Sequence, residues 1–297
     1  MKYVLITPAR NEEKFIRKTL ESMVAQTSLP ERWVIVDDGS TDRTAEIVES
    51  YAKRHPWIEL VRRSQRSDRN FAGKVHAFND GLERVQSLPF DVVGNLDADI
   101  SFGPDYFEFL LRKFRSLPTL GVAGTPMSEA NYHPANDSFY NESDVFGACQ
   151  LFRRQCFQEV GGYTPIKWGG IDWVAVRTAR FKGWQTRSFG EQLFYHHRPM
   201  GATGTNTLKA KFDYGRKDYF LGNHPLWQCF RVAFQMTKRP YMLGGIALLS
   251  GYFYSFASRM ERPVATELLR FHRHEQLQRL KHLLLQLMKT GRLRLRS

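Results

Sequence analysis

The feature that most limits the fold lies in the first hundred residues, where short apolar runs alternate four times with segments whose apolar residues recur at helical spacing. Residues 3–6 read as a first strand, followed by a helix from about residue 12 to 26 that carries Phe15, Ile16, Leu20, Met23 and Val24 on one side, with Asn11 as its expected N-cap. Residues 33–36 form a second strand, and the turn Asp37-Asp38-Gly39-Ser40 leads into a helix over 43–54. A third strand (58–61), a polar stretch (62–69) and a helix from about 73 to 86 precede the apolar run 90–96, which ends in Asp97-Ala98-Asp99. Such alternation implies an α/β fold with a parallel sheet and right-handed crossovers, and ligands of these sheets bind beyond the carboxyl ends of the strands. Thr7 to Glu12, Asp37 with Asp38, and Asp97 to Asp99 each follow a strand directly. All three clusters should therefore share one rim and build one site.

Beyond Asp99 the pattern loosens. Residues 111–134 read as irregular apart from a strand around 121–125, and residues 147–152 form a small-residue strand. A short helix over 154–160 is closed by Gly161-Gly162, another spans 172–182 and stops at Gly183, and a strand over 185–189 leads into Tyr195-His196-His197-Arg198. From about Thr207 the composition turns basic and aromatic, so two regions are expected, 1–206 (with halves 1–99 and 100–206) and 207–297.

With 297 residues, 42% of them hydrophobic, the chain can bury large cores, which excludes disordered and disulfide-scaffold classes. Cys149, Cys156 and Cys229 are odd in number and show no C-x-x-C spacing, so neither a disulfide framework nor a cysteine zinc site is expected. The first apolar stretch is too short for a secretory signal. A net charge of +13 favours anionic partners. No zinc spacing, RNA-recognition motif or recognition-helix signature accompanies that charge, so nucleic acid is not the partner expected, and a non-catalytic nucleic-acid binder is the weaker reading.

Two carboxylates one residue apart at the end of an apolar strand suit a hard divalent cation whose other ligands are water and phosphate oxygen. Taken with their order and spacing, Thr7-Pro8-Ala9-Arg10-Asn11-Glu12-Glu13, Val36-Asp37-Asp38-Gly39-Ser40-Thr41-Asp42 and Asn95-Leu96-Asp97-Ala98-Asp99 closely resemble the A-type glycosyltransferases of family 2. So do Phe152-Arg153-Arg154 to Gly161-Gly162-Tyr163 and the following Gly170-Ile171-Asp172-Trp173. The resemblance covers roughly residues 1–200. It implies a GT-A fold, a Rossmann-like, mostly parallel sheet with flanking helices, extended here by a helical carboxyl-terminal region. It further implies that Thr7, Pro8, Ala9 and Glu12, together with Asp37 and Asp38, hold the base and ribose of a nucleotide-sugar donor linked to UDP, GDP or dTDP. Which of Asp37 and Asp38 faces the nucleotide is open; the other is a turn residue bonding its own backbone.

By the same resemblance Asp97 and Asp99, flanking Ala98, hold Mg²⁺ or Mn²⁺ against the donor phosphates, and either His196 or His197 completes the metal site. Adjacent residues on an extended chain point apart, so at most one of the histidines reaches it. Arg69 and Lys74 lie where phosphate contacts are common in the family, or else are solvated surface charges. Asp172 is the candidate base for the acceptor hydroxyl, its alternative being the N-cap of the following helix. Ile171 stands before it where relatives often carry Glu.

Residues 240–258 carry no formal charge, but their glycines, serines and tyrosines argue for a buried or interfacial helix rather than a spanning one. Residues 259–297 hold ten Lys and Arg against three Glu, with Leu277, Leu280, Leu284, Leu287 and Met288 at helical spacing. A basic amphipathic helix of this kind reads as a binder of anionic lipid or as a helix packed on its own protein. The function expected is inverting, metal-assisted glycosyl transfer to a glycan or lipid-linked acceptor in cell-surface polysaccharide or glycolipid synthesis, in the cytoplasm at the inner face of the membrane. The alternative use of Asp97-Ala98-Asp99, a phosphotransferase with a nucleophilic aspartate, leaves the first two strand-end motifs without a role.

Overall fold

The structure is a computed structural model that describes residues 1–64, 71–129, 141–198 and 207–290. The chain divides into two compact units, Met1–Pro199 and Met200–Ser297.

In the first unit the elements run β1 (Tyr3–Ala9), α1 (Ile16–Val24), β2 (Arg32–Asp37), α2 (Thr44–Ala52), β3 (Ile58–Arg62), α3 (Phe71–Val85), β4 (Val92–Leu96), β5 (Ile100–Phe102) and α4 (Tyr106–Ser116). They continue as β6 (Leu120–Gly124), β7 (Met127–Ser128), β8 (Cys149–Arg153), α5 (Arg154–Val160), α6 (Ile171–Phe181), β9 (Gln185–Ser188) and β10 (Phe194–His196). Seven strands form one mixed sheet in the order β3-β2-β1-β4-β8-β6-β9. The pairs β1–β2, β1–β4, β2–β3 and β6–β9 are parallel, whereas β8 runs antiparallel to both β4 and β6. The first four strands are almost wholly buried, as continuous apolar runs covered on both faces by helices must be. Trp33 is fully enclosed between the layers and donates its indole N–H to Thr7 Oγ1 at 2.8 Å. Gly94 lies where a side chain would strike Leu5 and Leu151, so the centre of the sheet has no room for a methyl group.

Two local features depart from the sequence expectations. Helix α1 starts at Ile16 with Phe15 as its N-cap, not at Asn11. Asn11 instead adopts a left-handed backbone (φ 56°) and its side-chain oxygen accepts from Thr41 N at 2.8 Å, tying the first strand-end loop to the second. The segment after Asp99 is also more regular than expected. It contains β5 and the eleven-residue α4, whose Tyr106, Phe107, Phe109, Leu110, Leu111 and Phe114 are all buried. So many apolar positions blur the amphipathic period. Helix α5 matches the sequence reading, ending at Gly161 in the left-handed region, with Gly162 N bonding back to Phe157 O.

The second unit is helical: α7 (Thr207–Phe220), α8 (Pro225–Met236), α9 (Leu243–Ala257) and α10 (Thr266–Thr290). A buried polar cluster centres on Asn223, whose side chain accepts from Gln276 Nε2 at 2.7 Å and lies 3.1 Å from His272 Nε2. The inward residues of α10 are Leu268, Leu269, His272, Gln276 and Leu283, while Leu277, Leu284 and Met288 of the expected leucine face are exposed. The side chain of Leu287 and residues 292–296 lie outside the described residues. Among the described residues no helix is long and apolar enough to cross a membrane.

Candidate active site

The carboxyl ends of β1, β2 and β4 lie side by side, with Ala9 opposite Asp37 and Ile6 opposite Asn95. The three polar clusters therefore share one rim, as the strand order requires. On the first loop Thr7 is fully buried with its hydroxyl bonded to Trp33, and Ala9 is enclosed, whereas Pro8 is half-buried. At the second strand end the two aspartates differ. Asp37 Oδ1 accepts from Ser40 N at 3.1 Å and is the turn residue. Asp38 pairs with Arg63 at 2.8 Å, and Arg63 also holds Asp80 at 2.7 Å. Arg63 was invisible in the sequence because it sits in a polar stretch that reads as solvated surface.

The third cluster gathers the charge. Lys74, on the first turns of α3, reaches Asp97 Oδ1 at 2.5 Å, and Asn95 Nδ2 donates to the same oxygen at 3.1 Å. Burial opposes the Lys74 charge, but Asp97, Asp172 and Asp99 around it hold its pKa above the usual lysine value. Ala98 is enclosed and its carbonyl accepts the Thr19 hydroxyl at 2.8 Å, which fixes the strand end to α1. Asp99 Oδ2 accepts from Arg198 Nε at 3.0 Å, and the same guanidinium binds the Glu12 carboxylate. Burial, together with the charges of Asp99 and Asp97, raises the pKa of Glu12 to about 7 despite that pairing. Arg69 lies outside the described residues.

The register of a small second sheet decides between the two histidines. It pairs β10 antiparallel to β5, with His196 opposite Ile100, immediately after Asp99. His196 Nε2 stands 3.5 Å from Asp99 Oδ1, and its Nδ1 is buried without a hydrogen-bond partner among the described residues. His197 turns the other way, to Ser101 Oγ at 2.9 Å, and burial with the nearby Lys18 lowers its pKa. Asp97, Asp99 and His196 supply hard oxygens and one imidazole, a donor set that suits Mg²⁺ or Mn²⁺. Among the described residues no three ligating side chains converge as placed. A cation here would take its further ligands from phosphate oxygens and water.

Asp172 lies in the first turn of α6, and the N-cap is Gly170 in the left-handed region (φ 86°), so Asp172 is not the cap. Its carboxylate packs against Gly147, where a Cβ would stand 2.6 Å from Oδ2, and it has no hydrogen-bond partner among the described residues. Residues 4–161 match the sequence model of the family described as glycosyl transferase family 2. The chain belongs to that family.

Among curated relatives of this family 2 chain, the beta-monoglucosyldiacylglycerol synthase of Synechocystis sp. is 29% identical over 181 residues, covering 54% of this chain and 36% of that protein. The poly-beta-1,6-N-acetyl-D-glucosamine synthase of Staphylococcus epidermidis is 30% identical over 117 residues, 39% of this chain and 26% of its own length. The chain thus spans about a third or less of the relatives it matches. Among solved structures, the mannosyltransferase PcManGT from Pyrobaculum calidifontis, in complex with GDP-Man and Mn²⁺, superposes with a TM-score of 0.56 at 19% identity, over 94% of this chain and 80% of that one. The fold is therefore GT-A.

Arg198 is the residue of this family 2 site that sequence reasoning passed over. Its position directly after the two histidines was the available signal, since a strand that brings His196 to Asp99 carries the next residues to the same rim.

Proposed function

We propose that the chain is an inverting glycosyltransferase that moves a glycosyl group from a nucleoside-diphosphate donor to a hydroxyl of a glycan or lipid-linked acceptor, in cell-surface polysaccharide or glycolipid synthesis. The observation that carries this reading is Asp172, a carboxylate with no hydrogen-bond partner among the described residues, close enough to feel Lys74 and therefore beside Asp97. A general base must be ionised and free to accept a proton, and Asp172 meets both needs. The acceptor oxygen attacks the anomeric carbon as Asp172 takes its proton. The bond from that carbon to the phosphate oxygen breaks on the opposite face, its electron pair leaving with the nucleoside diphosphate, and the configuration inverts.

Thr7, Pro8, Ala9 and Glu12, with Asp37 and Asp38, line the base and ribose side, the enclosed residues through their backbone groups. Lys74 stands where it can exchange Asp97 for a donor phosphate, and Arg198 keeps Glu12 and Asp99 in place. Mg²⁺ or Mn²⁺ held by Asp97, Asp99 and His196 would neutralise the charge that grows on the departing diphosphate. The Mn²⁺ and GDP-Man bound to the mannosyltransferase of the same fold support this assignment.

Catalysis belongs to residues 1–206, and the basic region 207–297 brings it to an anionic membrane on the cytoplasmic side. The name of the Synechocystis relative, a diacylglycerol glycolipid synthase, supports an acceptor at such a surface. The test is Asp172→Asn. Transfer should fall by about a thousandfold or more while nucleotide binding persists; normal turnover in a folded variant would remove Asp172 from the mechanism.

A further inference from the structure

Helix α9 is packed inside out. Its inward stripe is Gly244, Gly245, Leu248, Gly251 and Ser255, mostly small residues, while Ile246, Leu249, Phe253, Tyr254 and Phe256 face solvent. Phe253, Phe256 and Tyr254 are 63%, 59% and 55% exposed, and the turn before the helix adds Tyr241 and Met242 at 60% and 57%. In a helix stabilised by water, burial of large apolar side chains drives packing, so these residues would face inward. Here the interior contacts are backbone on backbone. A Cβ at Gly251 would overlap the carbonyl of Phe212 on α7, and one at Gly215 on α7 would overlap the carbonyl of Leu248. Close approach through small residues, with large apolar side chains turned outward, is how helices pack when their outer surroundings are lipid.

Length and charge select the kind of lipid contact. Fifteen residues at about 1.5 Å each give roughly 22 Å, short of the ~30 Å hydrocarbon core. The helix itself has no charged residue, but Lys238 and Arg239 precede it and Arg259 and Arg262 follow it, with Glu261 the one acidic residue among them. Arg239 and Arg259 are exposed. An uncharged apolar face bracketed by cations fits the boundary between the acyl chains and the headgroups of an anionic bilayer.

We propose that the outward face of α9, with the turn Tyr241-Met242, is the membrane-docking surface of this protein, inserting parallel to the bilayer while the flanking arginines bind acidic headgroups. This rests on the proposed membrane-facing role, and it moves the contact from the basic helix α10 to α9.

The test floats the full-length chain with vesicles of phosphatidylcholine alone and with added phosphatidylglycerol. Three proteins are compared: wild type, the triple variant Ile246→Ser, Phe253→Ser, Phe256→Ser, and the α10 variant Arg270→Gln, Lys281→Gln, Lys289→Gln. Because the substituted α9 residues are exposed, the triple variant should melt as wild type does. Wild type should bind the anionic vesicles, the α9 variant about tenfold less or weaker, and the α10 variant within about threefold of wild type. Phe253→Cys, made in a Cys229→Ser background and carrying an environment-sensitive fluorophore, should shift to the blue on vesicle addition. Equal binding by the α9 variant, with loss in the α10 variant, would overturn the proposal and leave the membrane role intact. No vesicle binding by wild type would overturn both, and nucleotide binding by the same sample would still judge the glycosyltransferase reading separately. A wild-type dimer that the α9 variant turns into a monomer, without vesicle binding, would assign the face to a second copy instead.

Discussion

A methyl group added to Gly147 would meet Asp172 before anything else: the ideal Cβ lies 2.6 Å from Oδ2, 2.7 Å from Cβ and 2.8 Å from Cγ of that residue. Ordinary contact begins near 3.4 Å, so the carboxylate must retreat by roughly 0.8 Å. Gly147 itself is poorly able to yield, because its carbonyl accepts from Asn95 Nδ2 at 2.6 Å. Displacing a catalytic group by about 1 Å costs on the order of a hundredfold in rate, or about 2.7 kcal/mol of transition-state stabilisation. Gly147→Ala should therefore lower kcat by about 30- to 100-fold while the affinity for the nucleotide stays within about twofold. Initial-rate transfer at saturating donor reads the first quantity and calorimetric nucleotide titration the second. Wild-type kcat in a variant that melts normally would refute the reasoning, since Asp172 would then act from a position the methyl group does not disturb.

Other consequences concern stability and its pH dependence. Glu12 binds its proton more tightly in the folded protein than in the unfolded chain, with a pKa raised from 4.5 to about 7. Its contribution is thus fully present below pH 4.5 and is lost as pH rises towards 7, by roughly 2 kcal/mol after solvent screening. Denaturant unfolding in the presence of a chelator should show that fall in wild type and a flatter profile in Glu12→Gln; parallel profiles would contradict it. Gly94→Ala should cost about 1–3 kcal/mol by forcing Leu5 and Leu151 apart, read as a lower Tm in calorimetry. An unchanged Tm would mean that the sheet centre can yield.

The first half of the fold was legible because its strands are unbroken apolar runs and each ends in a polar cluster. Period alone says nothing of strand direction, so the antiparallel β8 between β4 and β6 was not legible. The choice between His196 and His197 needed the β5–β10 register, a contact between residues far apart in the chain. Asp37 and Asp38 look alike in sequence and differ only because Arg63 returns to one of them. In the carboxyl-terminal unit, composition correctly argued against a spanning helix. It did not show that α9 turns its glycines inward, because hydropathy counts residues and not the faces they occupy.

The central claim is that the strand-end carboxylates form a metal-assisted nucleotide-sugar site. Calorimetric titration of UDP, GDP and dTDP, each with and without Mn²⁺, into wild type and Asp99→Asn tests it most directly. The account predicts that one nucleotide binds wild type in a Mn²⁺-dependent manner and that Asp99→Asn loses that dependence. Equal Mn²⁺-dependent binding by the variant, or no binding of any nucleotide to wild type, would contradict it.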